Sequence, residues 1–456
     1  MKYYQVCIVG AGLAGLTAAY YLLKEGIRKI VIVEASNRAG GLLKSEKVGN
    51  YIFDAGGSHI IFSRSIRVLN EIINILSEDL IAHRRNTKVH YKGLFVKYPF
   101  ENGLGQLPAT ERYECLKNLV DTYIKRIKGE LQEPENFLEW ILYVFGKSIA
   151  EKYLIPYNEK LWKVDLREIT LEWVGGRVPN PPIDDVIKAA VGIEVEGYQH
   201  QLFFYYPVSG IESLAKSLVS TIIKLGAEVK YFSPALTTRI HEKRGNTLKI
   251  IELPEDEIVC SCVVYTAPLN NTKFFKYVAS PEVAQAVGRL RSIPVSVIGL
   301  GLRRPVPPIH WIYFPDKDLI FHRAAVLSNY SPLTAPAGSS TLIAEVSFHN
   351  VESMRSVNNN DLIRRVIDGF ESIGLVKSAA DVEVAHVWKW DHAYVLYDRL
   401  RKALLPRVKA ELMKAGIFLH GRFGSWEYLN MDAVFMKSKE LAIQIKKYLL
   451  AQLHSR

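Results

Sequence analysis

Tyr4–Glu34 reads YQVCIVGAGLAGLTAAYYLLKEGIRKIVIVE, and this stretch decides the fold. Tyr4–Val9 is a short apolar run, the pattern of a buried strand. Gly10-Ala11-Gly12-Leu13-Ala14-Gly15 follows at once. Leu13–Lys24 has helical periodicity, and Lys29–Val33 is a second apolar strand ending in Glu34. Strand, Gly-x-Gly-x-x-Gly, helix, strand and acid form one βαβ unit that binds a dinucleotide. Gly10 permits the tight turn, Gly12 lets backbone approach a pyrophosphate, and Gly15 lets helix pack on strand. The helix start offers free N–H groups and a positive dipole end to phosphate. Glu34 can accept from a ribose hydroxyl.

Working outward, Arg38-Ala39-Gly40-Gly41 follows Glu34 closely, and Phe53-Asp54-Ala55-Gly56-Gly57 comes soon after. A second glycine pair beyond the ribose acid resembles flavoproteins that hold FAD along an extended groove. The other reading is two ordinary glycine turns. FAD is expected, with contacts from Gly10, Gly12, Leu13, Ala14, Gly15, Glu34, Arg38, Gly40, Gly41, Leu42, Gly56, Gly57 and Ser58.

The chain has 456 residues, enough for two or three structural units. Hydrophobic residues make up 48% and charged residues 23%, an ordinary globular balance. No apolar run approaches the ~18 residues that span a bilayer. The glycine loop starts too early to leave room for a cleavable signal, so a cytoplasmic protein is expected. Cys7, Cys115, Cys260 and Cys262 read as buried free thiols, and no metal site is expected. The net charge of +11 suits an anionic ligand. No basic run is interleaved with aromatics, so nucleic acid is not an expected partner. Lys437, Lys439, Lys446 and Lys447 decorate the last helix.

The fold class expected is α/β: a Rossmann-like FAD domain, a helical insertion and a second mixed or antiparallel sheet domain. The FAD domain is assigned to residues 1–97, 203–270 and 411–456, the helical domain to 98–202, and the sheet-containing substrate domain to 271–410. Ser65–Leu80 reads as a helix and Val89–Tyr98 as a hairpin turning near Lys92-Gly93. Glu111–Lys128 and Asn136–Tyr143 read as helices. Leu248–Leu253 and Glu257–Val264 can pair as a hairpin. Ser292–Leu302 and Leu342–Phe348 read as strands of the second sheet. Asp432 is expected to N-cap a last helix, Ala433–Leu453. That helix start either faces the flavin or merely packs.

From Tyr98-Pro99-Phe100-Glu101-Asn102 onward a series of motifs appears in order. They are Pro156-Tyr157-Asn158-Glu159-Lys160-Leu161-Trp162, Gly176-Arg177-Val178, Phe321-His322-Arg323-Ala324, Ser328-Asn329-Tyr330-Ser331-Pro332, Asp391-His392-Ala393-Tyr394 and Gly421-Arg422-Phe423-Gly424-Ser425-Trp426-Glu427-Tyr428. Together they resemble the UDP-galactopyranose mutases, particularly the eukaryotic type, within the flavin amine oxidase superfamily. The resemblance implies that Arg177 and Arg323 neutralise a diphosphate, a task suited to the guanidinium fork. It implies phosphate contacts from Tyr330, Tyr394 and Tyr428. It places Tyr98, Phe100, Trp311 and Tyr313 around uridine, with Asn158 and Trp162 nearby. Gly421, Arg422, Tyr428, Asn430, Met431 and Asp432 would approach the flavin. His59 takes the place of the family's flavin-side histidine, in a Gly56-Gly57-Ser58-His59 loop that carries one extra residue. Tyr394 is followed by Val395-Leu396-Tyr397 where the family has Pro-x-Pro.

The activity implied is conversion of a UDP-sugar between pyranose and furanose forms, without net redox. In that family reduced FAD attacks the anomeric carbon through N5, forming a flavin–sugar adduct that reopens and recloses. The protein would need an external reductant such as NAD(P)H or a protein donor. The nucleophile belongs to the cofactor, so no Ser-His-Asp or Cys-His group is required. The alternative is an FAD-dependent oxidoreductase of the amine or protoporphyrinogen oxidase type. A non-catalytic flavin-binding protein is the third reading.

Overall fold

The apolar runs flanking the first glycine turn are both strands, and both are buried on each face, as parallel strands under helices must be. The computed structural model describes residues 2–175, 180–195, 202–243 and 246–454. Arg177, with its Gly176-Val178 neighbours, lies outside the described residues. Lys2–Val9 pairs in parallel with Ile30–Val33 on one side and Glu257–Tyr265 on the other. Glu228–Lys230 adds a further parallel strand beyond Ile30–Val33. The far edge of Glu257–Tyr265 is shared. Its first half pairs antiparallel with Asn246–Glu252, which turns back from Thr237–Lys243, and its second half pairs in parallel with Ile417–Leu419. This seven-stranded sheet gathers segments from both ends of the chain.

Helix Leu13–Lys24 lies very close to the first strand. A Cβ on Gly15 would stand 1.9 Å from the Gly10 carbonyl oxygen, so only glycine permits the approach. The last helix, Met431–His454, packs on Leu13–Lys24. A buried chain of hydroxyls joins them: Thr17 Oγ1 to Ser438 Oγ at 2.7 Å, and Ser438 Oγ to His420 Nε2 at 2.8 Å.

A second seven-stranded sheet runs in the order Val382–Val395, Ser292–Leu302, Ser340–Ser347, Arg323–Val326, Trp311–Tyr313, Thr87–Tyr91, Leu94–Lys97. The last two strands are the hairpin read at Lys92-Gly93, where both residues have positive φ (48° and 82°). A separate two-stranded sheet, Ser45–Val48 with Tyr51–Asp54, is tied to this second sheet by aromatic packing. Tyr51 and Phe53 press on the Cα atoms of Gly301 and Gly299, where a Cβ would approach to 2.7 and 2.6 Å. Trp390 Nε1 donates to the Ala55 carbonyl at 2.6 Å. Helices Ala109–Ile127, Phe137–Ile149, Ile155–Trp162 and Ile183–Ala190 form the helical part. Asn136 caps the second by accepting from Glu139 N at 3.1 Å. The architecture is the α/β arrangement expected.

Three local readings change. The helix after Ser65 stops at Ile75, because Leu76 returns to extended backbone and Ser77 N donates to Ser217 Oγ at 3.3 Å. Leu80–Arg84 is then a strand, paired antiparallel with Phe203–Pro207. Asp432 is not the N-cap: the last helix begins at Met431, and Val434 N donates to the Asn430 carbonyl at 3.1 Å. The Asp432 carboxylate instead accepts from Ser63 Oγ at 3.0 Å, stapling the helix start to the loop that follows His59. Val382–Val395 is one long strand, of which only the Asp391–Tyr394 motif stood out in the sequence.

Candidate active site

Between the glycine turns and the second sheet lies a cavity of about 640 Å³. Gly10, Gly12, Leu13, Ala14, Glu34, Gly40, Gly41 and Leu42 form its floor. Gly41 has φ 57°, and a Cβ there would stand 3.2 Å from Gly12 Cα. The two glycine turns therefore meet backbone to backbone, leaving a shallow cradle. The first helix starts at Gly12 with no side-chain cap, so its first N–H groups stay available to an anion. Glu34 is held by three donors: Ala11 N at 2.7 Å, Ser36 N at 2.9 Å and Ser36 Oγ at 2.7 Å. A carboxylate has roughly four acceptor sites, so one remains for a hydroxyl. A glycine cradle, uncapped amides and an oriented acid are the donor set that the AMP end of FAD requires.

Gly56, Gly57, Ser58, His59, Arg422, Tyr428, Asn430 and Met431 continue the lining toward the second sheet. Four of the expected cofactor residues stand behind it. Gly15 gives the close helix contact described above. Arg38 donates to Glu212 at 2.8 Å and to Glu46 at 2.5 Å, anchoring the loop before Gly40. Gly421 has φ 79° and would place a Cβ 2.3 Å from Ala14 Cβ. Asp432 holds Ser63.

Trp311, Tyr313, Arg323 and Tyr394 line the opposite wall. Tyr98, Phe100, Asn158, Trp162 and Tyr330 form a layer behind it. Tyr98 packs on Tyr313 at 4.9 Å, and Phe100 stacks on Tyr153 at 5.3 Å. Asn158 Nδ2 donates to the Leu154 carbonyl at 2.8 Å. Trp162 meets Trp173 at 4.6 Å and Tyr394 at 6.1 Å. The Tyr330 hydroxyl is 2.7 Å from Ser58 Oγ.

Sequence reasoning missed Glu345, which the fold places at the centre of this wall. Arg323 Nη2 lies 3.0 Å from Glu345 Oε1 and donates to the Ser58 carbonyl at 2.6 Å. The Tyr394 hydroxyl donates to Glu345 Oε2 at 3.1 Å, and Ser58 N donates to Oε1 at 3.4 Å. Burial opposes ionisation of Glu345, but Arg323 and then His322 outweigh it and hold its carboxyl down at about 2. Burial likewise disfavours the Arg323 charge, and Glu345 more than compensates, so the guanidinium stays charged. Arg323 Nε is buried and without a partner among the described residues. His59 is pulled down to about 4 by burial and then by Arg422, so it is neutral near pH 7. Its Nδ1 lies 2.8 Å from the Gly57 carbonyl, which can only accept. The proton therefore sits on Nδ1, and the Nε2 lone pair is left for a donor. The one sign of Glu345 in the sequence is a lone acid inside the apolar strand Ser340–Ser347.

All four cysteines are buried free thiols, and no cluster of metal-ligating side chains occurs among the described residues. No helix among the described residues is long and apolar enough to cross a membrane.

The family model for flavin containing amine oxidoreductase matches residues 13–398. The 1-hydroxycarotenoid 3,4-desaturase of Flavobacterium sp. is 25% identical over 367 residues, covering 73% of this chain and 74% of that protein. The anon-37Cs protein of Drosophila melanogaster is 38% identical over 69 residues, 15% of this chain and 14% of that protein. A crystal structure of reduced UDP-galactopyranose mutase matches with a TM-score of 0.87 at 25% identity, covering 98% of this chain and 95% of that one. A glycine-floored dinucleotide cradle and a match over most of the length lead to one statement: this chain belongs to the flavin-containing amine oxidoreductase family.

Proposed function

We propose that this chain is a flavin-dependent UDP-sugar mutase, interconverting pyranose and furanose forms with no net redox. The observation that carries the reading is the Arg323 site. A partly buried guanidinium with an unsatisfied Nε donates to the Ser58 carbonyl, in the electrostatic surroundings of the phenols of Tyr394, Tyr313 and Tyr330. The Nε–H that Glu345 and Ser58 leave unsatisfied suits a phosphate oxygen, whereas a hydrocarbon would give it no acceptor. The match to a reduced UDP-galactopyranose mutase over nearly the whole chain supports the same reading.

FAD would lie along Gly10–Ala14, Glu34 and Gly40–Leu42, with its ring near Gly56–His59, Arg422 and Asn430-Met431. When bound and reduced by an external donor, NAD(P)H or a protein, it supplies a nucleophilic nitrogen for the anomeric carbon. The chain supplies orientation and charge. Arg323 holds the diphosphate, with Arg177 as its expected second partner. Tyr394 and Tyr428, stacked with ring centroids 5.8 Å apart, close the phosphate end, where the Tyr394 proton must turn from Glu345 to reach a phosphate oxygen. Trp311, Tyr313 and Tyr98 provide an apolar face for the base. Neutral His59 offers an acceptor beside the ring without adding a charge. Arg422 donates to the Ala393 and Leu429 carbonyls at 3.1 and 3.0 Å and lies 4.6 Å over Tyr428, fixing that corner of the site.

The test is dithionite-reduced protein incubated with UDP-galactopyranose under anaerobic conditions. A furanose product, absent with oxidised protein, is the expected result. The second reading, an oxidoreductase, draws on the match to a desaturase over 73% of this chain. It predicts that substrate bleaches the oxidised flavin and that UDP leaves the flavin spectrum untouched.

A further inference from the structure

We propose that Arg85 is a second anion-binding residue of the cavity, taking a phosphate of the bound diphosphate; the nucleotide identity of that ligand rests on the mutase reading. The register of the second sheet places it. Tyr313 pairs directly with Arg323 across neighbouring strands, and Trp311 pairs with Ala325. Trp311 and Tyr313 are two residues apart, so they share a face, and Arg323 shares it with them. The Arg85 guanidinium lies 4.4 Å from the Trp311 ring centroid and 5.1 Å from that of Tyr98. Arg85, over the Trp311 ring, and Arg323, opposite Tyr313, thus both line the cavity on the face that carries Trp311 and Tyr313.

The two cations differ in what already holds them. Arg323 is paired with buried Glu345 at 3.0 Å, so that pair presents little net charge to a dianion. Arg422 spends both terminal nitrogens on backbone carbonyls. Arg85 donates only its Nε, to Thr87 Oγ1 at 3.1 Å, and no carboxylate among the described residues pairs with it. Its plane is braced by two aromatic rings, and its backbone N–H donates to the Leu202 carbonyl at 2.7 Å. A braced guanidinium with open terminal nitrogens loses little freedom when it grips an anion. Among the described arginines lining the cavity, Arg85 is the one with no hydrogen bond on either terminal nitrogen.

The experiment titrates FAD-loaded protein with UDP, inorganic pyrophosphate and uridine, following Trp fluorescence and calorimetry, for wild type, Arg85→Gln and Arg85→Lys. In Arg85→Gln, UDP and pyrophosphate are expected to bind at least about tenfold more weakly, with uridine within about twofold. The dependence of UDP affinity on salt should fall as well. Arg85→Lys keeps the charge but loses the fork and the stacking plane, so its UDP affinity should fall between Arg85→Gln and wild type. UDP binding in Arg85→Gln within twofold of wild type overturns the proposal. So does a loss of uridine affinity in Arg85→Gln that matches the loss of UDP affinity, because Arg85 would then be a brace for Trp311. Wild-type binding of pyrophosphate but not UDP, still dependent on Arg85, would keep this site and remove the nucleotide reading. Binding of neither would remove both.

Discussion

Along the floor of the cavity Gly10, Gly12 and Gly41 do their work by lacking atoms, while along the opposite wall Arg323, Tyr394 and Glu345 do theirs by carrying them. The floor is backbone: amides, a helix start and one oriented acid. It can serve any chemistry that needs FAD. The wall is side chains on strands drawn from distant parts of the chain. It decides what lies against the flavin. Cofactor binding is thus a property of local spacing, and substrate choice a property of long-range pairing.

That contrast can be broken most severely from the floor. Gly15→Val would drive a Cβ into the Gly10 carbonyl, 1.9 Å away, with no side chain able to yield. Loss of flavin absorbance and destabilisation by more than about 3 kcal/mol in urea unfolding are expected. Retained flavin in this variant would mean that the helix and strand can separate. On the wall, Glu345→Gln should leave flavin bound but destabilise by about 3 kcal/mol, because a buried guanidinium loses its carboxylate. Arg323→Ala should retain flavin and weaken UDP binding by about 2 kcal/mol. Unchanged UDP affinity there would remove the phosphate assignment.

The smallest effect is electrostatic. His420 is held down at about 4 by burial and then by Lys437, against an ordinary value near 6.5. Its folded value lies below its unfolded value. The stability present above pH 6.5 is therefore lost as pH falls toward 4, where the unfolded chain takes up a proton that the folded chain refuses. His59 and His310 carry the same sign. His420→Gln should reduce the acid-side loss by about 1 kcal/mol at pH 5.5, read as a flatter dependence of Tm on pH. An unaltered profile would show that His420 is already protonated in the fold.

The floor was legible because its signal is short-range. Glycine spacing, strand and acid lie within one βαβ unit, and the turn at Lys92-Gly93 is equally local. Much of the wall was legible only as a resemblance. Arg323, Tyr330 and Tyr394 were found that way, but nothing in their own neighbourhoods shows that Ser58 and Glu345 bind them. Glu345 comes from another strand, and its only mark is polarity where apolar residues surround it. Arg85 sits beside a strand whose partner, Phe203–Pro207, is more than a hundred residues away. Asp432 carried a sound capping signal, yet Ser63 claims its carboxylate and the helix starts before it. Tertiary partners overrode local preference there.

The hydroxyl chain from Thr17 through Ser438 to His420 makes the integrity of the cradle depend on the last helix. If Met431–His454 detaches from Leu13–Lys24, two hydroxyls and an imidazole lose their buried partners at once, and the Asn430-Met431 edge of the cavity opens with it. Local unfolding there and loss of the ligand are therefore one event rather than two.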